Sequence, residues 1–182
     1  SSNELHGDNL MAGYIGSKAV SVNTTSATIS DDLSVGGDII TTSAGTSNFA
    51  AGVNAGNSIQ SGGNYNVAVG DEAGTAITTG DHNVAVGYQA GDALTTGGRH
   101  TLMGYASGSS LIDPDRNVAF GYGSLQTDTK GTKSTAVGYS ALNTQNFTSA
   151  TDSFNTAVGY TAGESITTGV NNTLVGSLTG DA

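Results

Sequence analysis

The apolar residues of this chain fall in short alternating runs that each stop at a glycine, and the runs recur at a fixed interval. Asn66-Val67-Ala68-Val69-Gly70 returns as Asn83-Val84-Ala85-Val86-Gly87, His100-Thr101-Leu102-Met103-Gly104 and Asn117-Val118-Ala119-Phe120-Gly121. It returns again as Ser134-Thr135-Ala136-Val137-Gly138, Asn155-Thr156-Ala157-Val158-Gly159 and Asn172-Thr173-Leu174-Val175-Gly176, with a weaker first copy at Asn48-Phe49-Ala50-Ala51-Gly52. Successive glycines are 18, 17, 17, 17, 17, 21 and 17 residues apart. The second half of the unit repeats as well: Ile77-Thr78-Thr79-Gly80, Leu94-Thr95-Thr96-Gly97 and Ile166-Thr167-Thr168-Gly169. A unit of this length is too short for a helical hairpin and lacks a 3.6-residue period. It predicts two short strands and two glycine turns per coil. The chain is therefore read as all-β, a parallel β-roll or β-solenoid of 17-residue coils, rising roughly 34 Å over seven steps at the ordinary strand spacing.

The alternation implies more than a coil. Side chains of a strand point alternately to its two faces, so the first and third apolar positions share one face and the middle position takes the other. The middle position is Ala68, Ala85, Leu102, Ala119, Ala136, Ala157 and Leu174, and it is never polar. Two apolar faces are the pattern of a strand covered on both sides. The simplest cover is further copies of the same chain, and small alanines suit close approach across a symmetry axis. This predicts an intertwined homotrimer with these seven residues at its packing seam.

The Asn-Thr-Ala-Val-Gly-Tyr unit with its Thr-Thr-Gly return resembles repeats of bacteriophage tail fibres, and it is similar to the YadA-like head repeat of trimeric autotransporter adhesins. The resemblance covers residues 48–182. It implies an intertwined trimer of left-handed parallel β-rolls, although the adhesin head repeat is usually 14 residues, shorter than the unit here. Residues 1–47 do not keep the period. The stretch Asp32-Leu33-Ser34-Val35-Gly36-Gly37-Asp38-Ile39 resembles connector sequence of phage fibres, so residues 1–47 are read as a connector or shaft and 48–182 as the repeat domain. The repeat stops in mid-unit at Gly180-Asp181-Ala182, which reads as a piece of a longer fibre.

Composition narrows the function. The chain has 182 residues, 28 of them glycine, no cysteine, and a formal net charge of −10 with five basic residues. Nucleic acid is excluded as a partner, because neutralising phosphates takes Lys and Arg in quantity. Membrane insertion is not expected, since no run of 18 apolar residues occurs. No cofactor is expected and no metal site is assigned. His6, His82 and His100 lack metal-ligand spacing, and no nucleophile elbow follows a strand. The pair Asp113 and Asp115 lies in one turn, a poor arrangement for two carboxyls that must face each other across a sugar or join six or more oxygens around calcium. An enzyme is not expected.

Stacking equivalent positions produces columns. Asn66, Asn83, Asn117, Asn155 and Asn172 open the strands and read as a hydrogen-bonded ladder. Tyr88, Tyr105, Tyr122, Tyr139 and Tyr160 follow the turn glycines, and read either as a packed spine or as a glycan-stacking strip. His82, Arg99, Arg116 and Lys133 share one position and should repel one another. They read either as part of an ion-pair network, with Asp81 and Asp115 beside them, or as a site for an anionic receptor. Four extra residues between Gln145 and Phe154 read as a surface loop, where recognition often resides.

These features lead to one functional expectation with two rivals. The expectation is a structural viral protein, a trimeric tail-fibre segment for host-cell attachment, located extracellularly on the virion. Its partners would be other virion tail proteins and a host cell-surface glycan or protein receptor. The rivals are a trimeric adhesin head on a bacterial cell surface and an ice-binding β-solenoid. The ice-binding reading is suggested by the Thr pairs at 78–79, 95–96 and 167–168, which fail at Ile112-Asp113 and at 128–132.

Overall fold

A computed structural model describes residues 44–181. The connector expected over residues 1–47 lies outside these, apart from its last four positions. Within the described residues the chain is all-β and contains no helix. Ten strands follow in order: β1 (Phe49–Ala51), β2 (Val67–Val69), β3 (Val84–Val86), β4 (Thr101–Met103), β5 (Val118–Phe120), β6 (Gly131–Thr132), β7 (Thr135–Val137), β8 (Thr151–Asp152), β9 (Thr156–Val158) and β10 (Thr173–Val175). Eight of them form one parallel sheet in the order β1-β2-β3-β4-β5-β7-β9-β10. Each strand pairs in register with the same three positions of the next coil, for example Val84 with Thr101, Ala85 with Leu102 and Val86 with Met103. This is a β-solenoid with coils of about 17 residues.

The second strand of each coil does not form as expected. The Thr-Thr segments are bends that donate one amide hydrogen bond per step, Thr78 to the Thr95 carbonyl (2.9 Å) and Thr95 to the Ile112 carbonyl (2.8 Å). One bond per coil is too few for a ladder. Regular pairing on that side arises only where β6 meets β8, through Gly131–Thr151 and Thr132–Asp152.

The turn after each main strand explains its invariant glycine. At Gly121 φ is +140°, and a Cβ built there would lie 2.2 Å from the carbonyl oxygen of Gly138 in the next coil. Only a residue without a side chain allows successive turns to stack this closely.

The middle strand positions lie elsewhere than expected. Ala68, Ala85, Leu102, Ala119, Ala136 and Ala157 have no exposed surface within a single chain, and Leu174 packs against them in the last coil. They point into the coil rather than to a trimer seam. The coil is narrow: a strand of three residues faces Ile77, Leu94 or Leu111 on the far side, with Ala73 and Ala90 at the corner. Little room is left for the central side chain, so alanine recurs. The outward face belongs to the flanking positions, including Val67, Val86, Met103, Phe120, Val137 and Val158, which are half-buried or exposed.

Two coils fill this core differently. In most coils a glycine stands four residues after the turn glycine and Ile or Leu stands seven after it, as with Gly74 and Ile77 or Gly108 and Leu111. A Cβ at Gly74 would lie 2.7 Å from Ile77, and one at Gly108 would lie 2.8 Å from Leu111, so the small and large residues are complementary. In the coils of β5 and β7 the glycine position holds Leu125 and Leu142, while the core position holds Asp128 and Gln145. All four are fully buried. The leucines enter the core from the neighbouring position at positive φ, +52° and +50°, and leave the original position free for polar side chains.

This exchange yields a coupled prediction. Leu125→Gly alone leaves a core cavity, and Asp128→Leu alone overpacks against Leu125; each is expected to cost about 2 kcal/mol or more. The double variant restores the arrangement of the other coils. Its loss in urea denaturation is expected to fall below the sum of the single losses by about 1 kcal/mol or more. Additive losses would show that the two positions do not share one space.

Candidate functional site

A buried asparagine column runs beside the sheet. Residue 82 and its equivalents adopt left-handed backbone (His82 +60°, Arg99 +63°, Arg116 +61°, Lys133 +61°), which turns the following amide out of the sheet ladder. The asparagine column satisfies it. The Asn66 side-chain oxygen accepts the Asn83 amide at 2.9 Å, and its side-chain nitrogen donates to the Gly80 carbonyl at 2.8 Å. His100 takes the same place in its coil. Nδ1 accepts the Asn117 amide at 3.2 Å, and Nε2 lies 2.8 Å from the Pro114 carbonyl. A carbonyl can only accept and an amide can only donate, so the ring is neutral with its proton on Nε2. His100 is thus an asparagine substitute rather than a metal ligand or catalytic base.

The basic column is brought together, but it is not free. Asp115 lies 3.9 Å from Arg99 and 3.7 Å from Arg116, and Lys133 pairs with Asp152. Hydrogen bonds from Lys133 and Thr132 hold Asp152 below the ordinary carboxylate range. Tyr65 stacks on His82 at 4.9 Å, and the Lys133 ammonium sits 5.0 Å from the centre of the Phe154 ring. The three permanent cations therefore have carboxylate or aromatic partners, which offsets the repulsion the sequence implies. Exposed pairs of this kind are screened by solvent and contribute little to stability.

The tyrosine column is a continuous stack. Centroid separations from Tyr88 to Tyr160 are 5.4, 4.7, 5.0 and 5.2 Å, with interplanar angles of 22°, 7°, 6° and 14°. The ring faces are covered by one another, and the column shows solvent its edges and hydroxyls. A sugar that packs on a ring face finds one only at the two ends, Tyr88 and Tyr160.

The two irregular stretches of the repeat meet in space. A cleft of about 200 Å³ is lined by Asp113 and Pro114 from the irregular turn, Lys130 and Thr132 around β6, and Ala150 from the inserted loop. Hydrogen bonds from the Thr95 and Thr96 hydroxyls (2.6 and 2.9 Å) hold the Asp113 carboxyl below its ordinary range. The exchanged core residues anchor the loop. Asp128 accepts the Gly131 amide (2.9 Å), the Phe147 amide (3.0 Å) and the Gln145 side chain (2.6 Å). Gln145 in turn donates to Ser134 and accepts from Asn155. Neither Asp128 nor Gln145 stands out in the sequence. The available signal is leucine in a glycine position, paired with a polar residue in an Ile/Leu position three residues later.

Among the described residues no three His, Asp or Glu side chains gather as a metal site, and no helix is long and apolar enough to cross a membrane. No protein-family model, no curated protein and no solved structure matches this chain.

His100 makes stability depend on pH. Burial lowers its pKa, outweighing the opposing pull of the Pro114 carbonyl and Asp115. The folded state thus binds this proton less readily than the unfolded chain. The contribution is intact above the unfolded value of 6.5 and is lost as pH falls below it, by up to about 1.4 kcal/mol per pH unit. His100→Asn is expected to keep the ladder and flatten this part of the profile in denaturation between pH 7 and 5. An unchanged slope in the variant would place the titration elsewhere.

Proposed function

We propose that the chain is a segment of an extracellular viral tail fibre, trimeric, whose role is rigid attachment to a host cell. The observation that carries this is the outward face of the eight-stranded sheet. Phe49, Val118, Phe120, Val158 and Val175 are exposed there, with Val67, Val69, Val84, Val86, Met103 and Val137 half-buried between them. The tyrosine column begins one turn later. Every strand puts at least one apolar side chain on this face, with Thr101, Thr135, Thr156 and Thr173 between them, and an exposed apolar stripe of this kind is characteristic of an interaction site. A second or third copy carries the same stripe at the same 17-residue period, so it matches in register.

The Thr-Thr side speaks against ice binding, because Ile112-Asp113 and residues 128–132 interrupt the regular threonine rows that a lattice-matching face needs.

Two substitutions on adjacent residues separate core from interface. Val86→Lys places a charge on the outward face. It is expected to yield a folded monomer by light scattering and circular dichroism, against a trimer for the unaltered chain. Ala85→Asp places an unpaired charge in the coil and is expected to unfold the solenoid itself. A monomeric unaltered chain, or a Val86→Lys variant that remains trimeric, would overturn this assembly.

A further inference from the structure

We propose that the cleft between the 112–116 turn and the inserted loop is a binding site for a single uncharged sugar ring, the terminal residue of a surface glycan. This rests on the attachment reading and gives it a ligand class and a location.

The first support is that the repeat is broken here in a coordinated way. Elsewhere the coil closes on itself with apolar residues. In two of the three coils that line the cleft, leucine moves to the glycine position and Asp128 and Gln145 replace the core aliphatics. Packing alone gains nothing from this, because a buried carboxylate and amide must be fully hydrogen-bonded to be tolerated. The exchange does hold the inserted loop: Asp128 grips Gly131 and Phe147, Gln145 ties Ser134 to Asn155, and Phe147 is buried beneath. The loop that supplies Ala150 to the cleft is thereby fixed on a polar framework absent from the neighbouring coils. Departures from local regularity that are compensated elsewhere are where function is expected.

The second support is the chemistry of the lining. Asp113, held in place by two threonine hydroxyls, offers an acceptor. Lys130 offers a donor, and no ion pair joins it to Asp113 among the described residues. Pro114 and Ala150 supply apolar contact between them. One acceptor, one donor and an apolar floor match a pyranose, which carries hydroxyls at its rim and C–H groups on its face. The volume of about 200 Å³ is below the range of drug-sized sites, about 300–1,000 Å³, and suits one ring. A cation would find a single carboxylate, too few oxygens for calcium. An acidic sugar would meet Asp113 on a chain of net charge −10.

The test uses the full chain, with D-glucose, D-galactose, N-acetyl-D-glucosamine and D-glucuronate as separate probes in saturation-transfer NMR. At least one of the three neutral sugars is expected to bind at millimolar concentration, more tightly than glucuronate. Asp113→Asn and Lys130→Gln are expected to weaken binding about tenfold or more, since each removes a charged hydrogen-bonding partner. Ala150→Trp plugs the cleft from an exposed position; it is expected to abolish binding with an unchanged circular dichroism spectrum. Binding of none of the neutral sugars, tighter binding of glucuronate, or undiminished binding in Ala150→Trp overturns the proposal. The assembly is read separately by light scattering. A trimer without sugar binding rejects the cleft and leaves the fibre, while a monomer whose sugar binding is lost in Ala150→Trp does the reverse.

Discussion

The fold depends on how one amide per coil is satisfied. Each coil approaches its main strand through a residue in left-handed conformation, from Tyr65 to Asn171, and the next amide then faces the interior. Left unpaired it would cost about 1–3 kcal/mol in every coil. The buried column removes that cost from Asn66 to Ser134, and again at Asn172, by bonding the amide to the side chain of the coil before, and its asparagines tie the strand to the second turn through the glycine carbonyls. Because the bond runs from one coil to the next, it holds only if the coils are in register. His100 shows how strict the requirement is. The one ring that enters the column does so as a neutral donor and acceptor with an amide-like arrangement.

Given that register, each position becomes a column of one chemistry, with consequences a single coil would not have. Tyrosines stacked at the coil spacing cover one another's faces. Cations stacked at the same spacing need carboxylates beside them, which Asp115 and Asp152 provide. Glycines stacked at the turn allow carbonyls to approach a distance that no Cβ permits. Regularity therefore uses up much of the surface for stability, and the less committed chemistry gathers where the columns break.

The break is itself built into the core. The exchange of Gly and Ile for Leu and Asp or Gln keeps the coil filled while placing polar side chains where a loop can be held. The extra pairing of β6 with β8 follows from it, since the close approach at Gly131 brings that turn within 3 Å of Asp128. One buried network thus links a core substitution, an additional sheet and a surface cleft.

The coil, its period and its parallel in-register strands were legible in the sequence, because glycine spacing and strand alternation are local consequences of backbone sterics. The Asn ladder was legible for the same reason. The direction of the strand faces was not. Alternation separates Ala85 from Val84 and Val86, but it does not say which side is inside when both are apolar; the narrowness of the closed coil decides that, and it places the alanines within. The second strand was over-read, because Thr78-Thr79 has strand-like composition while its backbone makes one bond per coil. The candidate site was half legible. Asp113 and the insertion at 145–154 marked themselves by breaking the period, and only the tertiary structure brought them to one cleft, because coils adjacent in space are 17 or more residues apart in the chain. The sequence by itself determined a stack of coils; the packing between coils decided which residues face in, which charges are paired, and where the two irregular stretches enclose a cleft.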